Sequence, residues 1–367
     1  MQKIRSIIKQ YGGIIILLFW VFSAVGAKYV PFHSILRLLL LVVPLLLKWN
    51  RIRRNGTLVF MLCIFIGVYC FALNSELTRY AAGFIFPVFI GMILAYTANR
   101  AQVEKTLSVC SFICIGALFY ELFTGTYIVE VEDSFMGHSI FHCGLFANSK
   151  ESGTFLGAIS LFIIKQKRAY ITITFCIVGT LITGCRTATV MSTCALIYSL
   201  YLATTKVRII YALAVLCFIG YVYSLLSNYL SLDRVTTTLS LSDEGNSDRI
   251  DFMLAHLRLW WSSLSIKTLL FGSFGSTTTK IGNGMESAFL RLLIDGGVPM
   301  LLFYIYHIFP FIKKGVNGDI LMIVFVFSMT ISGFGLGFTS GSLLWFYIYS
   351  KYFERQRVIQ VCLTAAK

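Results

Sequence analysis

The chain has 367 residues, of which 57% are hydrophobic and 13% are charged, and its mean hydropathy is +0.80. Soluble globular domains carry about 25% charged residues, so this composition excludes an ordinary water-soluble fold. The apolar segments are apolar all round instead of alternating with polar residues, which excludes the strands of a membrane β-barrel and favours helices. The basic residues behind the formal charge of +15 lie mainly between apolar runs, so they indicate membrane topology and not nucleic-acid binding.

The chain begins with three basic residues, Lys3, Arg5 and Lys9, followed by an apolar run. This pattern resembles a signal peptide, but the many later apolar segments favour an uncleaved first helix. A spanning helix needs about 20 mainly apolar residues, and the apolar runs predict about twelve spans. They lie near residues 11–27, 30–47, 57–74, 80–98, 107–123, 144–164, 169–184, 187–203, 208–227, 286–309, 319–337 and 342–353.

The charged residues also predict the orientation of these spans. A cytoplasmic N-terminus puts most of the 31 Lys and Arg residues in cytoplasmic segments, and it leaves outer loops that are enriched in acidic residues. The positive-inside rule therefore places both termini in the cytoplasm. We predict an all-α polytopic protein of a bacterial inner membrane, with residues 1–367 forming a single integral membrane domain. Two outer (periplasmic) loops, a shorter one at 124–143 and a large one at 228–285, are long enough to be functional.

Single charged residues within or beside the first eight spans are candidates for substrate contacts. Arg186 lies in a tight outer turn between two apolar runs. Its guanidinium suits phosphate because a planar fork donates two parallel hydrogen bonds, although a snorkelling anchor is the alternative. Arg37, inside the second span, is either a buried substrate contact or half of a structural pair. His138 and His142 are spaced i, i+4, but no third ligand accompanies them, so we predict no metal site.

The large outer loop contains a segment, residues 247–261, that predicts an amphipathic helix at the outer interface. Its acidic residues stand near the beginning, as suits a helix N-terminus. Arg249 and His256 are seven residues apart and share a face, and Phe252 and Trp260 lie on the same side. Such a helix either faces the substrate or is an ordinary interfacial helix with an aromatic anchor.

The tenth span is preceded by a glycine-rich turn at 271–276 and carries charges in its outer part. The turn either presents backbone N–H groups to an anion or only directs the chain toward the span. Glu286, Arg291 and Asp295 lie in or beside the outer part of the span. Because charges in lipid are costly, such residues face the protein interior or a wet cavity and are functional candidates. The alternative is a structural ion pair between Arg291 and Asp295.

Stretches within residues 144–300 resemble, in order, the O-antigen polymerase/ligase family of Wzy-like and WaaL-like membrane glycosyltransferases. Gly144 to Asn148 is similar to the family's G-x-F-x-N stretch, and Thr183 to Ala188 is similar to its T-G-S-R-[GT]-A turn. Arg249, Trp260 and Leu270 to Gly275 are similar to the family's R…W…L-x-G-x-G loop. Glu286 to Val298 is similar to its [HE]-[NS]-x-[FYW]-L…[DE]-x-G stretch. Cys185 stands where the family usually has Ser. Glu286 stands where the ligases typically carry His, which favours the polymerase branch.

The resemblance implies a Wzy-type polymerase of O-antigen or capsular repeats. Such an enzyme transfers a growing glycan from undecaprenyl diphosphate to a new lipid-linked repeat at the outer face of the inner membrane. The reaction needs cations that stabilise the departing diphosphate, and the candidates are Arg186, Arg249 and Arg291. It also needs a base near the acceptor hydroxyl, with Glu286 as the first candidate and His256 as the second.

The same resemblance implies further contacts and partners. Asn148, Trp260 and Arg37 are candidates for substrate binding, and neither a cofactor nor a metal is required. The expected partners are membrane lipid, undecaprenyl-diphosphate-linked oligosaccharide repeats, and a Wzz-type chain-length regulator and flippase of the same pathway. An O-antigen ligase, which transfers finished chains to lipid A-core, is the alternative within the family. A polysaccharide flippase or other transporter is the alternative of a different class, and it would place its charges along a central cavity.

Overall fold

The computed structural model describes residues 87–95, 100–126, 128, 142–146, 149–227, 244–273, 276–281, 287–312, 324, 328 and 341–351. Within these ranges the chain is almost entirely helical and contains no strand, as the sequence predicts. The helices in chain order are α1 (87–95), α2 (Arg100–Thr124), α3 (Ser149–Ile163), α4 (Ala169–Ile182), α5 (Arg186–Leu202), α6 (Thr205–Ser227), α7 (Glu244–Ser262), α8 (Ile266–Phe271), α9 (Ser276–Ile281), α10 (Ala288–Ile312) and α11 (341–351).

Two helices of the described part are long and apolar enough to cross a membrane, namely Val103–Thr124 within α2 and Ala288–Phe309 within α10. The predicted spans between residues 107 and 227 coincide with α2 to α6, the span at 286–309 coincides with α10, and α1 and α11 overlap the spans at 80–98 and 342–353. The predicted spans at 11–27, 30–47, 57–74 and 319–337 lie outside the described residues, apart from residues 324 and 328. The total of about twelve spans therefore stays a prediction.

The chain divides into two compact units, the central unit of residues 104–251 and the split unit of residues 1–103 and 252–367. In the central unit, α3, α4 and α5 pack against one another. A Cβ built on Gly157 of α3 would lie 3.1 Å from the Cβ of Ala188 in α5, so these two helices approach closely. Ser160 donates a 3.0 Å hydrogen bond to Ser192 across the same contact. Small residues and hydroxyl pairs at helix contacts are typical of membrane bundles, where lipid offers no hydrophobic drive to associate.

In the split unit, α10 is interrupted at Gly297, whose φ of 78° and ψ of 175° lie outside the helical region. This combination is essentially restricted to glycine, because a Cβ strains the backbone there. Pro299 follows within the first turn after the break, where its missing N–H removes no helical hydrogen bond. The span predicted as one continuous helix therefore consists of two helical segments.

The end of α8 docks against this break. The backbone N–H of Ser273 donates a 2.7 Å hydrogen bond to the carbonyl oxygen of Ile294. A Cβ on Gly272 would collide with the backbone of Asp295, and a Cβ on Gly297 would lie 2.7 Å from the carbonyl oxygen of Leu270. The two backbones are thus in direct contact, which only residues without side chains at these positions allow.

An aromatic cluster joins the second half of α10 to α11. The rings of Tyr304 and Trp345 meet edge to face with centroids 4.8 Å apart, and both side chains are fully buried. Phe303 stacks on the same indole at 5.6 Å, and His307 lies 4.3 Å from the Phe303 ring. Edge-to-face and offset pairs of this kind add to the stabilisation gained from burial alone. The cluster therefore fixes the second half of α10 within the split unit.

Candidate functional site

Glu121, a fully buried carboxylate near the end of α2, organises the shorter outer loop. Its Oε1 accepts a 3.0 Å hydrogen bond from the backbone N–H of Ile128, and its Oε2 accepts from those of Cys143 and Gly144 at 2.9 and 2.8 Å. The donors stand near both ends of the loop, so one side chain ties these ends to α2. Hydrogen bonds to an ionised acceptor are about twice as strong as neutral ones, which offsets the burial of the charge.

His142 lies beside this carboxylate. Its Nδ1 is 3.8 Å from Oε2 of Glu121, and its side chain is nearly buried. Burial lowers the pKa of the His142 imidazole below its usual value of 6.5, and the charge of Glu121 opposes that shift. The neutral imidazole is therefore favoured near neutral pH, and a neutral imidazole is able to accept a proton. No three His, Cys, Asp or Glu side chains cluster in the described ranges, so no metal ligand set is identified there.

The turn that carries Arg186 lies at the same end of the central unit. α4 ends at Ile182, Gly184 takes a φ of 64°, and Arg186 is the first residue of α5. A Cβ on Gly153, in the second turn of α3, would collide with Cys185, so the beginning of α3 contacts this turn. α3 begins just after the segment 142–146 that Glu121 holds. The ring of Phe146 also contacts α3, with its centroid 5.2 Å from that of Phe155. Parts of two family-like stretches, 144–146 and 183–188, therefore both contact the first two turns of α3.

Arg186 stands at the N-terminal end of α5. The first residues of a helix present unbonded N–H groups and the positive end of the helix dipole. Cys185 occupies the N-cap position of α5, and its side chain makes no capping hydrogen bond. The serine usual in the family would be a good cap there. A guanidinium beside this helix end favours a negatively charged group, such as a phosphate.

The predicted interfacial helix is α7, and its residues 252–262 belong to the split unit, where one face of them packs against α10. Trp260 is 7% exposed and forms a core with Ile294, whereas the next residue, Trp261, is 71% exposed. His256, one turn before Trp260, is fully buried, whereas Phe252, predicted on the same side, is 40% exposed. The Nε1 of Trp260 is buried and finds no hydrogen-bond partner within the described ranges. An indole N–H of this kind is a donor that a polar ligand can satisfy.

Arg291 and Asp295 lie together one turn apart in α10. The Nε of Arg291 is 3.7 Å from Oδ2 of Asp295, and Oδ1 of Asp295 accepts a 3.0 Å hydrogen bond from the hydroxyl of Ser273. Asp295 is buried and Arg291 is partly exposed. The structural ion pair that the spacing allows is therefore present, and the docked end of α8 contributes to it.

Of the other predicted site residues, Arg37, Asn148 and Glu286 lie outside the described part, and so does the side chain of Arg249, whose backbone belongs to α7. Their roles stay predictions. Of the remaining candidates, Arg186 lies in the central unit. The other three lie in the split unit, His256 and Trp260 on α7 and Arg291 on α10. No protein-family model matches the chain, and no curated protein matches it. The likeness to the O-antigen family therefore rests on the short stretches alone.

Glu121 is a candidate site residue that lies outside the motifs selected from the sequence. It is the only charged residue in the apolar run 107–123, and an ionisable residue inside a predicted span is a functional candidate by default. That signal was present in the sequence. The loop residues that return to Glu121 lie about twenty positions later, and no local pattern predicts that contact.

Proposed function

We propose that the chain is a membrane glycosyltransferase that polymerises lipid-linked oligosaccharide repeats, a Wzy-type polymerase at the outer face of a bacterial inner membrane. The observation that carries this proposal is that segments 144–146 and 183–188 both contact the first two turns of α3 in the central unit. Both segments belong to stretches that resemble the O-antigen family. The second segment includes the N-terminus of α5, which begins with an arginine and is a suitable environment for a diphosphate.

The proposed reaction is the displacement of a lipid diphosphate from a sugar carbon. A hydroxyl of the incoming repeat attacks the anomeric carbon of the growing glycan, the bond from that carbon to the diphosphate oxygen breaks, and undecaprenyl diphosphate leaves with the bonding electrons. Negative charge grows on the leaving oxygen, so cations placed there lower the barrier. Arg186 is our first candidate for this role, followed by Arg249 and Arg291.

The attacking hydroxyl must lose its proton to a base. Glu286 is our first candidate for this base, because its carboxylate is predicted at the outer end of the tenth span, directly after the large outer loop. His256 is the weaker candidate, since its imidazole is fully buried. Trp260 suits a binding role, because its buried indole N–H has no hydrogen-bond partner among the described residues and can donate to a sugar or phosphate oxygen.

A second function, transport of a lipid-linked saccharide, is favoured by one observation. α10 is a candidate span that is interrupted at Gly297, and it carries the Arg291–Asp295 pair just before the break. Discontinuous helices with charged residues near the break form the substrate sites of many transporters. We rank this function second because the pair is satisfied locally, by Ser273 and by its own partner.

The experiment that tests the proposal is the surface polysaccharide profile of a deletion strain, complemented with the wild-type chain or with one of four variants. Arg186→Ala and Glu286→Ala remove the proposed cation and base, and Arg186→Lys keeps the charge but loses the planar fork. Arg258→Ala is the matched control, because it removes an exposed arginine from α7. Membrane levels of every variant are measured by immunoblot.

A polymerase predicts that the deletion strain carries single repeats on lipid A-core. Wild type and Arg258→Ala then restore the ladder of chain lengths, Arg186→Ala and Glu286→Ala do not, and Arg186→Lys restores it only in part. Full-length chains that accumulate on undecaprenyl diphosphate would indicate a ligase. Repeats trapped on the cytoplasmic face would indicate a flippase. A normal profile in the deletion strain would refute all three functions.

A further inference from the structure

The segment that links α7 to the break in α10 has a surface unlike that of a soluble loop. In residues 263–273 the only charged side chain is Lys267, and large apolar side chains at Leu264, Ile266, Leu270 and Phe271 are exposed. Ile266 is 80% exposed and Phe271 is 57% exposed. Trp261, just before the segment, is exposed as well. A contiguous apolar patch of this kind marks a surface that something apolar covers.

The position of this segment along α10 indicates what covers it. The candidate span begins at Ala288, and the tip of the segment is hydrogen-bonded to Ile294, six residues further on. At 1.5 Å per residue the tip therefore contacts α10 about 9 Å inside the end of the span. One leaflet of the hydrocarbon core is about 15 Å thick, so a span that begins at Ala288 places this contact at the depth of the lipid chains.

Polar backbone at this depth must be satisfied by the protein itself, and the two ends of the segment have such partners. α8 begins with a capping box in which Ser265 and Thr268 exchange hydrogen bonds, and Gly272 N–H donates to the Thr268 carbonyl at 2.9 Å. Ser273 uses its N–H on Ile294 and its hydroxyl on Asp295. Non-helical backbone is tolerated at membrane depth only where such partners exist.

From these observations we propose that residues 263–273 form a re-entrant element that enters the outer leaflet beside the first half of α10. Its exposed side chains, Ile266, Leu270 and Phe271, face the acyl chains of the lipid bilayer. Lys267 extends its ammonium group toward the headgroups, as lysines near the interface do. The second half of α10 has the same kind of surface, with Leu302, Tyr306 and Phe309 exposed within the candidate span. This inference requires that α10 crosses the membrane and does not depend on the proposed glycosyl transfer.

Photocrosslinking of the full chain in phospholipid nanodiscs tests the proposal. The photoreactive residue p-benzoyl-phenylalanine replaces Ile266, Tyr306 or Asp251 in separate preparations, and phospholipid adducts are quantified by intact-protein mass spectrometry. Tyr306 reports the lipid-facing side of α10, and Asp251 is an exposed acidic position of α7. We expect the adduct yield at Ile266 to approach that at Tyr306 and to exceed that at Asp251 several-fold.

Three results would overturn the inference. A yield at Ile266 no higher than at Asp251 means that the segment stays in water. Crosslinks from Ile266 to a second copy of the chain, in place of lipid, mean that the patch is a protein interface. Absence of lipid adducts at both Ile266 and Tyr306 removes the premise that α10 lies in the bilayer.

A glycine variant tests the docking itself. Gly272→Ala places a Cβ against the backbone of Asp295, so it should release the tip and lower the lipid adduct yield at Ile266 several-fold without changing the yield at Tyr306. Gly125→Ala is the matched control, because Gly125 also has a positive φ but no atom lies within 4 Å of its added Cβ. Equal loss of the Ile266 adduct in both variants would contradict the proposed docking.

Discussion

Replacing Glu121 by glutamine should loosen the shorter outer loop while leaving the helices in place. The carboxylate accepts three backbone hydrogen bonds, two at Oε2 and one at Oε1. A hydrogen bond to a charged group contributes about 1.5–3 kcal/mol, and a neutral one about 0.5–1.5 kcal/mol. Glutamine retains one oxygen, which can keep neutral bonds to Cys143 and Gly144, but its amide NH₂ then meets the N–H of Ile128 donor to donor. One strong bond is lost and two are weakened, which is about 3 kcal/mol of local stability.

Amide hydrogen exchange of the full chain, followed by mass spectrometry, measures this effect directly. If the loop opens as one local unit, a loss of about 3 kcal/mol speeds exchange roughly a hundredfold, because each 1.4 kcal/mol is a factor of about ten. We expect this acceleration in peptides that contain Cys143 and Gly144. Peptides from the interior of α4 and α5 should exchange at the wild-type rate, because Glu121 makes no hydrogen bond to them among those of the described residues.

Glu104→Gln is the control for this experiment. Glu104 lies in the same helix near its other end and is partly exposed, so the loss of its charge should leave the exchange of the loop unchanged. The reasoning is refuted if Glu121→Gln leaves the protection of Cys143 and Gly144 at the wild-type level. It is also refuted if Glu104→Gln accelerates the same peptides as much, because the cause would then be a general loss of stability.

Three further predictions follow from the described contacts. In thermal melts of the purified chain, Gly272→Ala should lower Tm by several degrees, and Gly125→Ala should lower it less, because both positions have a positive φ but only the first meets another backbone. Trp260→Ala should destabilise the chain by about 3 kcal/mol and Trp261→Ala by less than about 0.5 kcal/mol, since only the first empties a packed core; similar losses in denaturant titrations would contradict this. Because the folded protein lowers the pKa of His142, its contribution to stability is complete above about pH 6.5 and is lost as the pH falls through the folded pKa. His142→Asn should therefore flatten the fall of Tm between pH 7 and 5, and an unchanged slope would show that other groups cause it.

Much of the helical framework could be predicted because apolar runs are separated by distinct breaks. The break between α4 and α5 contains Gly184, and that between α3 and α4 contains Arg168, which takes a φ of 62°. Charged or glycine-rich breaks of this kind end helices whatever the tertiary context. The predicted bounds of α4 and α5 therefore agree with the structure to within two residues.

The interruption of α10 could not be predicted in the same way. Gly297 stands inside an apolar run, and glycine is common in spanning helices as a packing residue. What distinguishes a break from a packing site here is the docked end of α8, about 25 residues earlier in the chain. Likewise, the sequence places Trp260 and Phe252 on one side of α7, but only Trp260 reaches Ile294 and becomes buried. Both outcomes depend on contacts between distant segments, which periodicity does not encode.

The same contacts make the candidate cations unequal as reporters of substrate binding. Arg291 lies 3.7 Å from the buried carboxylate of Asp295, so its removal takes an ionic partner from that carboxylate and lowers the stability of the fold. A polymerisation defect in Arg291→Ala would therefore mix lost folding with lost diphosphate binding. Arg186 stands at the first position of α5, outside this ion pair. Substitution of Arg186 leaves the Arg291–Asp295 pair in place, so it does not carry the cost of breaking that pair. Arg186 is therefore the arginine on which the proposed diphosphate site should be judged.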